Sequence, residues 1–463
     1  VKITPNSQPL PRFEFSYNPQ DGSVMEPDVV TLQGVSVGNF LTTDKVRLKG
    51  GLRPEEGRFV YPLGDRRHYA ANAFAAVNIA TQIFEEAYGE PIKWATGRKQ
   101  LDVTAEYGQE LNAYYSRWEL GVVFSKDLDK ATQKMVYAAG SGEVVVHETG
   151  HAILDSLRPN YFSTWSAEPP AFHEAFGDML ALLVTLKNER VQEIVAEQTG
   201  GDLSRPNLAA DLGEEMGTAM NNNAGNNVTG GANIRSARNS FVWQDPSSLP
   251  DHAPPGQLSA QEHNFSRVWT GAFYEVLTAI CRSKMEEGLS AREALAATAD
   301  EGLRMLGRQM RKAPDGDFTF PDMAAALLAS EKELNGGRYA PMIQEAFAAR
   351  NMLPEGANLV DPAEPLGPGV TPVSTQFSSG PLAGVTVTTL LSGSTRLMRD
   401  TQSEQVRLQR DVERQFRLGR ILMTEPNQVV RPQDLFDAHG HPFFGVVRWV
   451  DGQMQLERIP VGH

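Results

Sequence analysis

Cysteine is nearly absent: Cys281 stands alone among 463 residues, so no intrachain disulfide can form and the core or bound ions must stabilise the chain. No run of about 18 or more apolar residues occurs, so no segment is expected to span a membrane. Positive charge is in deficit, with 43 Lys and Arg against 57 Asp and Glu and a net charge of -14. That balance argues against the clustered basic surface that nucleic acid requires. There is no internal repeat. The chain opens on Val1, and VKITPNSQPLPRF has no apolar signal-like core, as expected if a signal was removed or the sequence trimmed. A secreted or extracytoplasmic protein is the expectation, with a cytoplasmic one as the alternative.

What is present is a long, well-punctuated pattern. Residues 1–58 read as a β-rich segment, from alternation in PRFEFSY and the β-branched DVVTLQGVSVGNF. From His68, apolar residues recur at helical spacing up to Gly89, and strand-like runs follow at 101–107 and 120–125. The chain then turns helical, with DKATQKMVYAAG leading into SGEVVVHETGHAILDSL, which should end at Arg158-Pro159. PPAFHEAFGDMLALLVTLKN opens with prolines suited to a first helical turn. The Asn/Gly-rich stretch 220–233 reads as a surface loop, and further helices are expected near 265–286, 290–311, 320–335 and 339–350. The implied units are 59–157, bearing the HExxH helix, and a mainly helical 158–353; a linker at 354–382 leads to a small α+β domain at 383–463.

The decisive string is His147-Glu148-Thr149-Gly150-His151. On a helix, positions i and i+4 share a face, so both imidazoles can reach one cation, and Glu148 stands where its carboxylate can take a proton from water. Catalytic zinc usually takes three protein ligands and leaves a fourth position open. Glu174, 23 residues beyond His151, supplies the third. Asp178 lies one helical turn further on and can orient a ligand imidazole through its free N–H. His173 is a rival by residue type, but its side chain points about 100° away from Glu174, so it is expected to orient His151 or a backbone group instead.

HETGH followed by HEAFGD resembles the gluzincin metallopeptidases, in particular the thermolysin-like family, and the resemblance runs from about His68 to Leu353. It implies an α+β, two-lobed catalytic unit: an N-terminal mixed lobe with the active-site helix, and a mainly helical C-terminal lobe. LDVTAEYGQELNAYYSRWELGVVFSKD resembles the family's edge-strand segment, which makes Asn112 and Ala113 substrate-binding. EHNFSRVWTGAFYEVL matches His263 to the histidine that stabilises the tetrahedral intermediate. NIRSARNSF matches Arg235 to the arginine that contacts a substrate carbonyl and the glutamate ligand, with Arg238 close by as a competitor. Tyr161 falls near the family's second oxyanion donor, although Phe162 occupies the family spacing. Catalytic roles are thus expected for Glu148, His263 and Tyr161.

Several features depart from the family. The interval to Glu174 is longer, and His173 replaces a usual asparagine. The acidic partner expected before His263 is missing, with Glu262 or Asp251 as substitutes. No clear motif supports calcium, although Glu143 matches one of the family's calcium ligands. About 60 residues precede the catalytic unit, too few for the family's inhibitory propeptide, which implies its removal or different control. The expectation is one zinc ion per chain and a peptide or protein substrate, with oligomeric state open. A narrow aminopeptidase-like hydrolase and a latent or non-catalytic metal-binding module are the alternatives.

Overall fold

The computed structural model describes residues 11–353, 370–392, 401–437 and 443–459. They form a mixed α+β fold in which a single apolar cluster runs from Phe15 to Met352. The segments divided in sequence at 58 and 157 therefore share one core.

Strands β1 (Arg12–Tyr17) and β2 (Asp28–Gln33) form an antiparallel hairpin whose Phe15 stacks on Phe59 in that core. Short strands β3 (Ser36–Val37), β4 (Leu41–Thr42) and β5 (Val46–Leu48) join β6 (Leu101–Tyr107), β7 (Ala113–Ser116) and β8 (Gly121–Leu128). The resulting mixed sheet has the order β3-β4-β5-β6-β8-β7. Strand β7 is thus an outer edge, paired only with β8 among the described residues. Helix α1 (Arg66–Tyr88) packs against β5 and β6; Asp65 caps its start, and Gly89 ends it at φ 86°, a left-handed conformation that suits glycine.

The stretch 129–140, read as a lead into helix, instead turns and forms β9 (Met135–Tyr137) on the end of β8. Asp129 sets that turn by accepting from the backbone N–H of Ala131 at 2.9 Å. The helical part follows: α2 (Gly142–Leu157), α3 (Glu168–Leu186), α4 (Glu189–Thr199), α5 (Glu214–Ala224), α6 (Glu262–Glu286), α7 (Ala291–Lys312), α8 (Phe320–Asn335) and α9 (Ala340–Ala349). Two-residue strands β10 (Asp211–Leu212) and β11 (Arg235–Ser236) pair among them. Helix α5 extends into the Asn-rich stretch expected to be loop. Buried Met216 and Ala219 hold its inner face, while Asn222 and Asn223 bond to Asp129 and to the Leu128 carbonyl.

Beyond this unit lies a smaller one: β12 (Val370–Gln376), β13 (Thr386–Ser392), α10 (Thr401–Arg417), β14 (Ile421–Met423), β15 (Gly445–Val450) and β16 (Gln453–Arg458). Its sheet order is β12-β13-β16-β15-β14. Strand β12 falls inside the stretch read as linker, and its Pro372 is tolerated because the strand is an edge. The first part of that linker, 354–369, lies outside the described residues. The small core of this module contains Val387, Leu408, Val412 and Val447, and Trp165 of the larger unit inserts among them.

Candidate metal centre

Two helices build the centre, and two glycines let them approach. Ser141 caps α2 by accepting from Val144 N, and the helix presents His147, Glu148 and His151 from buried positions. Helix α3, opened by Pro169 and Pro170, is buried along its whole length and brings Glu174 and Asp178 alongside. A Cβ at Gly150 would lie 2.9 Å from Gly177 Cα, and one at Gly177 would lie 2.7 Å from His147 Nδ1. Only hydrogen fits at either place. The sequence signal for both is glycine inside an apolar helical run, where it costs about 1 kcal/mol against alanine and so implies a packing reason.

The donor atoms converge. His147 Nε2 and His151 Nε2 are 3.1 Å apart, and Glu174 places one carboxylate oxygen 3.4 Å from the first and the other 3.5 Å from the second. A tetrahedral zinc ion with bonds of about 2.0–2.1 Å would separate its ligands by about 3.3–3.4 Å, so this triangle fits such a cation. His147 Nδ1 lies 2.9 Å from Asp178 Oδ1. The Nδ1–H therefore donates to the carboxylate, so that loss of the Nε2 proton, which a metal ligand requires, leaves a lone pair facing the other donors. His173 stays outside the triad: its Nδ1 lies 3.5 Å from His151 Nδ1, and its ring packs 4.5 Å from that of Phe162.

The electrostatics favour a cation here. Burial works against charge on His147, yet its hydrogen bonds to the Asp178 and Glu174 carboxylates outweigh it and raise the imidazole to about 9. Burial likewise opposes charge on Glu174, but His263, His147, His151 and Arg235 together hold its carboxyl well below the usual range. Glu148 goes the other way: burial dominates, lifting it to about 7, and its Oε2 has no hydrogen-bond partner among the described residues. A carboxylate of that kind is poised to accept a proton near neutral pH.

A cleft of about 520 Å³ opens over the triad. Asn112 and Ala113 form one rim at the start of edge strand β7, and the Asn112 side-chain oxygen is fixed on the Ala113 N–H at 2.9 Å. Buried Asp155 ties β7 to α2, accepting from Tyr115 Oη at 2.7 Å and Arg117 Nε at 2.8 Å. Arg235 reaches the centre from β11. Its guanidinium bonds to Asp178 at 2.9–3.1 Å and stands 3.4 Å from Glu174 Oε2. Arg238 points elsewhere, donating to the Ser204 carbonyl.

His263, half exposed at the opposite rim, places Nε2 3.4 Å from Glu174 Oε1. Its partner is not the acid expected. Asp251 is paired with Arg414 and Glu262 with Arg420, and the group on His263 Nδ1 is the Gln261 amide at 2.7 Å. Gln261 caps α6 by accepting at Oε1 from Asn264 N at 3.0 Å, which turns its NH2 toward the ring. The neutral ring then carries its proton on Nε2, facing the cleft.

Tyr161 is not brought to the centre. It is buried, its hydroxyl donates to the Pro314 carbonyl at 2.6 Å, and its ring packs against Phe318. The bond that fixes it comes from 153 residues away.

A second acidic group lies below α2. Asp21, Glu143 and Glu214 bring carboxylate oxygens within 4.8 Å of one another. Burial first, then the charge of neighbouring acids, raises Asp21 to about 8 and Glu143 well above the usual range. An unfolded Asp titrates near 3.9, so between about 4 and 8 the folded protein retains a proton that the unfolded chain has released, and stability falls across that window as pH rises. Asp21→Asn removes the ionisable group while keeping an acceptor for the Glu215 N–H. In calcium-free buffer its melting temperature should exceed that of the parent at pH 8 and match it at pH 4. An equal gain at both pH values would show that ionisation of Asp21 is not the cause.

The chain matches no protein-family model, and no curated protein is significantly similar to it.

Proposed function

We propose that the chain is a zinc-dependent metalloendopeptidase on a thermolysin-like, two-lobed catalytic unit. The observation that carries this reading is the convergence of His147, His151 and Glu174, with Glu148 beside them at the floor of an open cleft, its Oε2 without a hydrogen-bond partner among the described residues. Two imidazoles and one carboxylate suit zinc better than magnesium or calcium, which prefer all-oxygen ligation. When bound, zinc supplies Lewis acidity that polarises a peptide carbonyl and lowers the pKa of water.

The rest of the work falls to the chain's own groups. Edge strand β7 has no further strand on its outer side among the described residues, which leaves an extended peptide room to lie along it, and Asn112 orients the peptide at the rim. Glu148 takes the proton from attacking water and delivers it to the leaving nitrogen. His263 donates its Nε2–H to the developing oxyanion, a contribution of about 3 kcal/mol for a preorganised donor. Arg235 holds the glutamate ligand and a substrate carbonyl in register. Tyr161, engaged with Pro314, has no part.

Elemental analysis together with hydrolysis of casein tests the reading. About one zinc per chain, with activity lost to chelator and restored by zinc, is expected. Protein purified without chelator that contains no zinc would overturn it.

A further inference from the structure

Residues 244–261, between Trp243 and α6, carry four prolines and form no regular element beyond the single turn Pro246–Ser248. This segment leads directly to Gln261 and His263, so the rim of the cleft depends on it. Much of its bonding is internal, such as Ala260 N to the Pro250 carbonyl at 3.0 Å and Gln257 N to the Pro254 carbonyl at 2.9 Å. A long irregular stretch held this way is expected to sample many conformations unless something outside supports it.

Helix α6 gives part of that support at the segment's second half, through Arg267 on the Pro255 carbonyl at 2.7 Å and Asn264 on the Gln257 carbonyl at 3.0 Å; around Asp245 and Asp251 it comes from the C-terminal module. Helix α10 places Arg407, Arg410 and Arg414 at spacings of three and four, on one face, and Arg420 follows just beyond its end. Arg414 Nε meets Asp251 at 2.5 Å, Arg420 meets Glu262 at 3.6 Å, and Arg410 approaches Asp245 at 3.9 Å. Arg407 anchors the helix to the larger unit through Asp317 at 2.8 Å. These contacts are unequal. Arg410 and Asp245 are both about half exposed, and such a pair contributes little; Arg414 is only 12% exposed and lines the same narrow gap as Gln261.

We propose that the C-terminal module is a clamp on segment 244–261, which leads into His263 at the start of α6, with Arg414 as its principal positioning residue. The module thereby forms part of the cleft's construction: through Asp251 and the segment that ends at Gln261, it holds the imidazole over Glu174. The kinetic half of this inference rests on the peptidase reading, while the structural half does not.

Full-length, zinc-loaded Arg414→Glu, Asp251→Arg and the double variant provide the test. In each single variant, backbone amides of 244–262 should exchange with deuterium roughly tenfold faster while zinc content stays at the parent level. On a peptide substrate, kcat should fall by about tenfold with KM within about twofold, because the donor to the oxyanion is displaced and the peptide-holding strand is not. The reversed pair in the double variant should recover both protection and kcat. Unchanged exchange in Arg414→Glu, or no recovery in the double variant, overturns the clamp. Exchange is read without catalysis, so an inactive parent protein sinks the peptidase reading alone.

Discussion

Glu148→Gln should lower kcat on a peptide substrate by about 10³-fold or more while zinc remains at about one per chain. The substitution is nearly isosteric and touches none of the three donor atoms, so ligation should survive. What disappears is the ability to accept a proton. The parent carboxylate is buried, raised to about 7, and has an oxygen without a hydrogen-bond partner among the described residues. A neutral amide is cheaper to bury than a charge, so the same variant should melt at a temperature equal to or higher than the parent's. Lower kcat with retained zinc and undiminished stability is a combination that a merely structural Glu148 would not produce. If Glu148→Gln instead kept kcat within a few fold, the assignment of the base would be wrong, whatever the metal content.

How much of this was legible in the sequence depended on how local the determining physics is. Helix limits set by a nearby residue were readable. Gly89 ends α1, Pro159 follows α2, and α7 and α8 begin within a residue of where their periodicity places them. That His147 and His151 share one helical face follows from the helical repeat, and the geometry sets Asp178 against His147, one turn from Glu174. Longer-range determinants were hidden. Tyr161 looked available because nothing nearby shows that its hydroxyl is held by Pro314. His263 is partnered not by an acid but by Gln261, whose amide is fixed by capping α6, a consequence of where the helix begins. The Pro and Ser content of β12 is that of a linker, yet an edge position tolerates it. The role of α10 could not be read at all, since its charges resemble a solvated face until Asp251 and Asp317 are seen opposite them.

Gly177→Ala should weaken zinc binding by about 10²-fold, although it adds one methyl group and removes no ligand. The methyl would stand 2.7 Å from Nδ1, 2.8 Å from Cε1 and 3.0 Å from Cγ of His147, closer than packed atoms tolerate. The ring has little room to retreat, since it is buried and its Nδ1 is held on Asp178. Nor can α3 withdraw without losing the contact at Gly150, where the two helix backbones already meet. Either response lengthens the donor distances of 3.1–3.5 Å that fit one cation. The overpacking itself should cost about 1–3 kcal/mol, too little to unfold a core of this size, so the loss can be read on folded protein. Competition with a chromophoric chelator measures the affinity, and calorimetry the stability. A lowered melting temperature with parental zinc affinity would mean that the helix pair absorbs the methyl elsewhere, and that the close approach of α2 and α3 does not set the ligand geometry. A fall in affinity larger than the fall in stability explains would place the specification of the metal centre in two glycines as much as in its histidines.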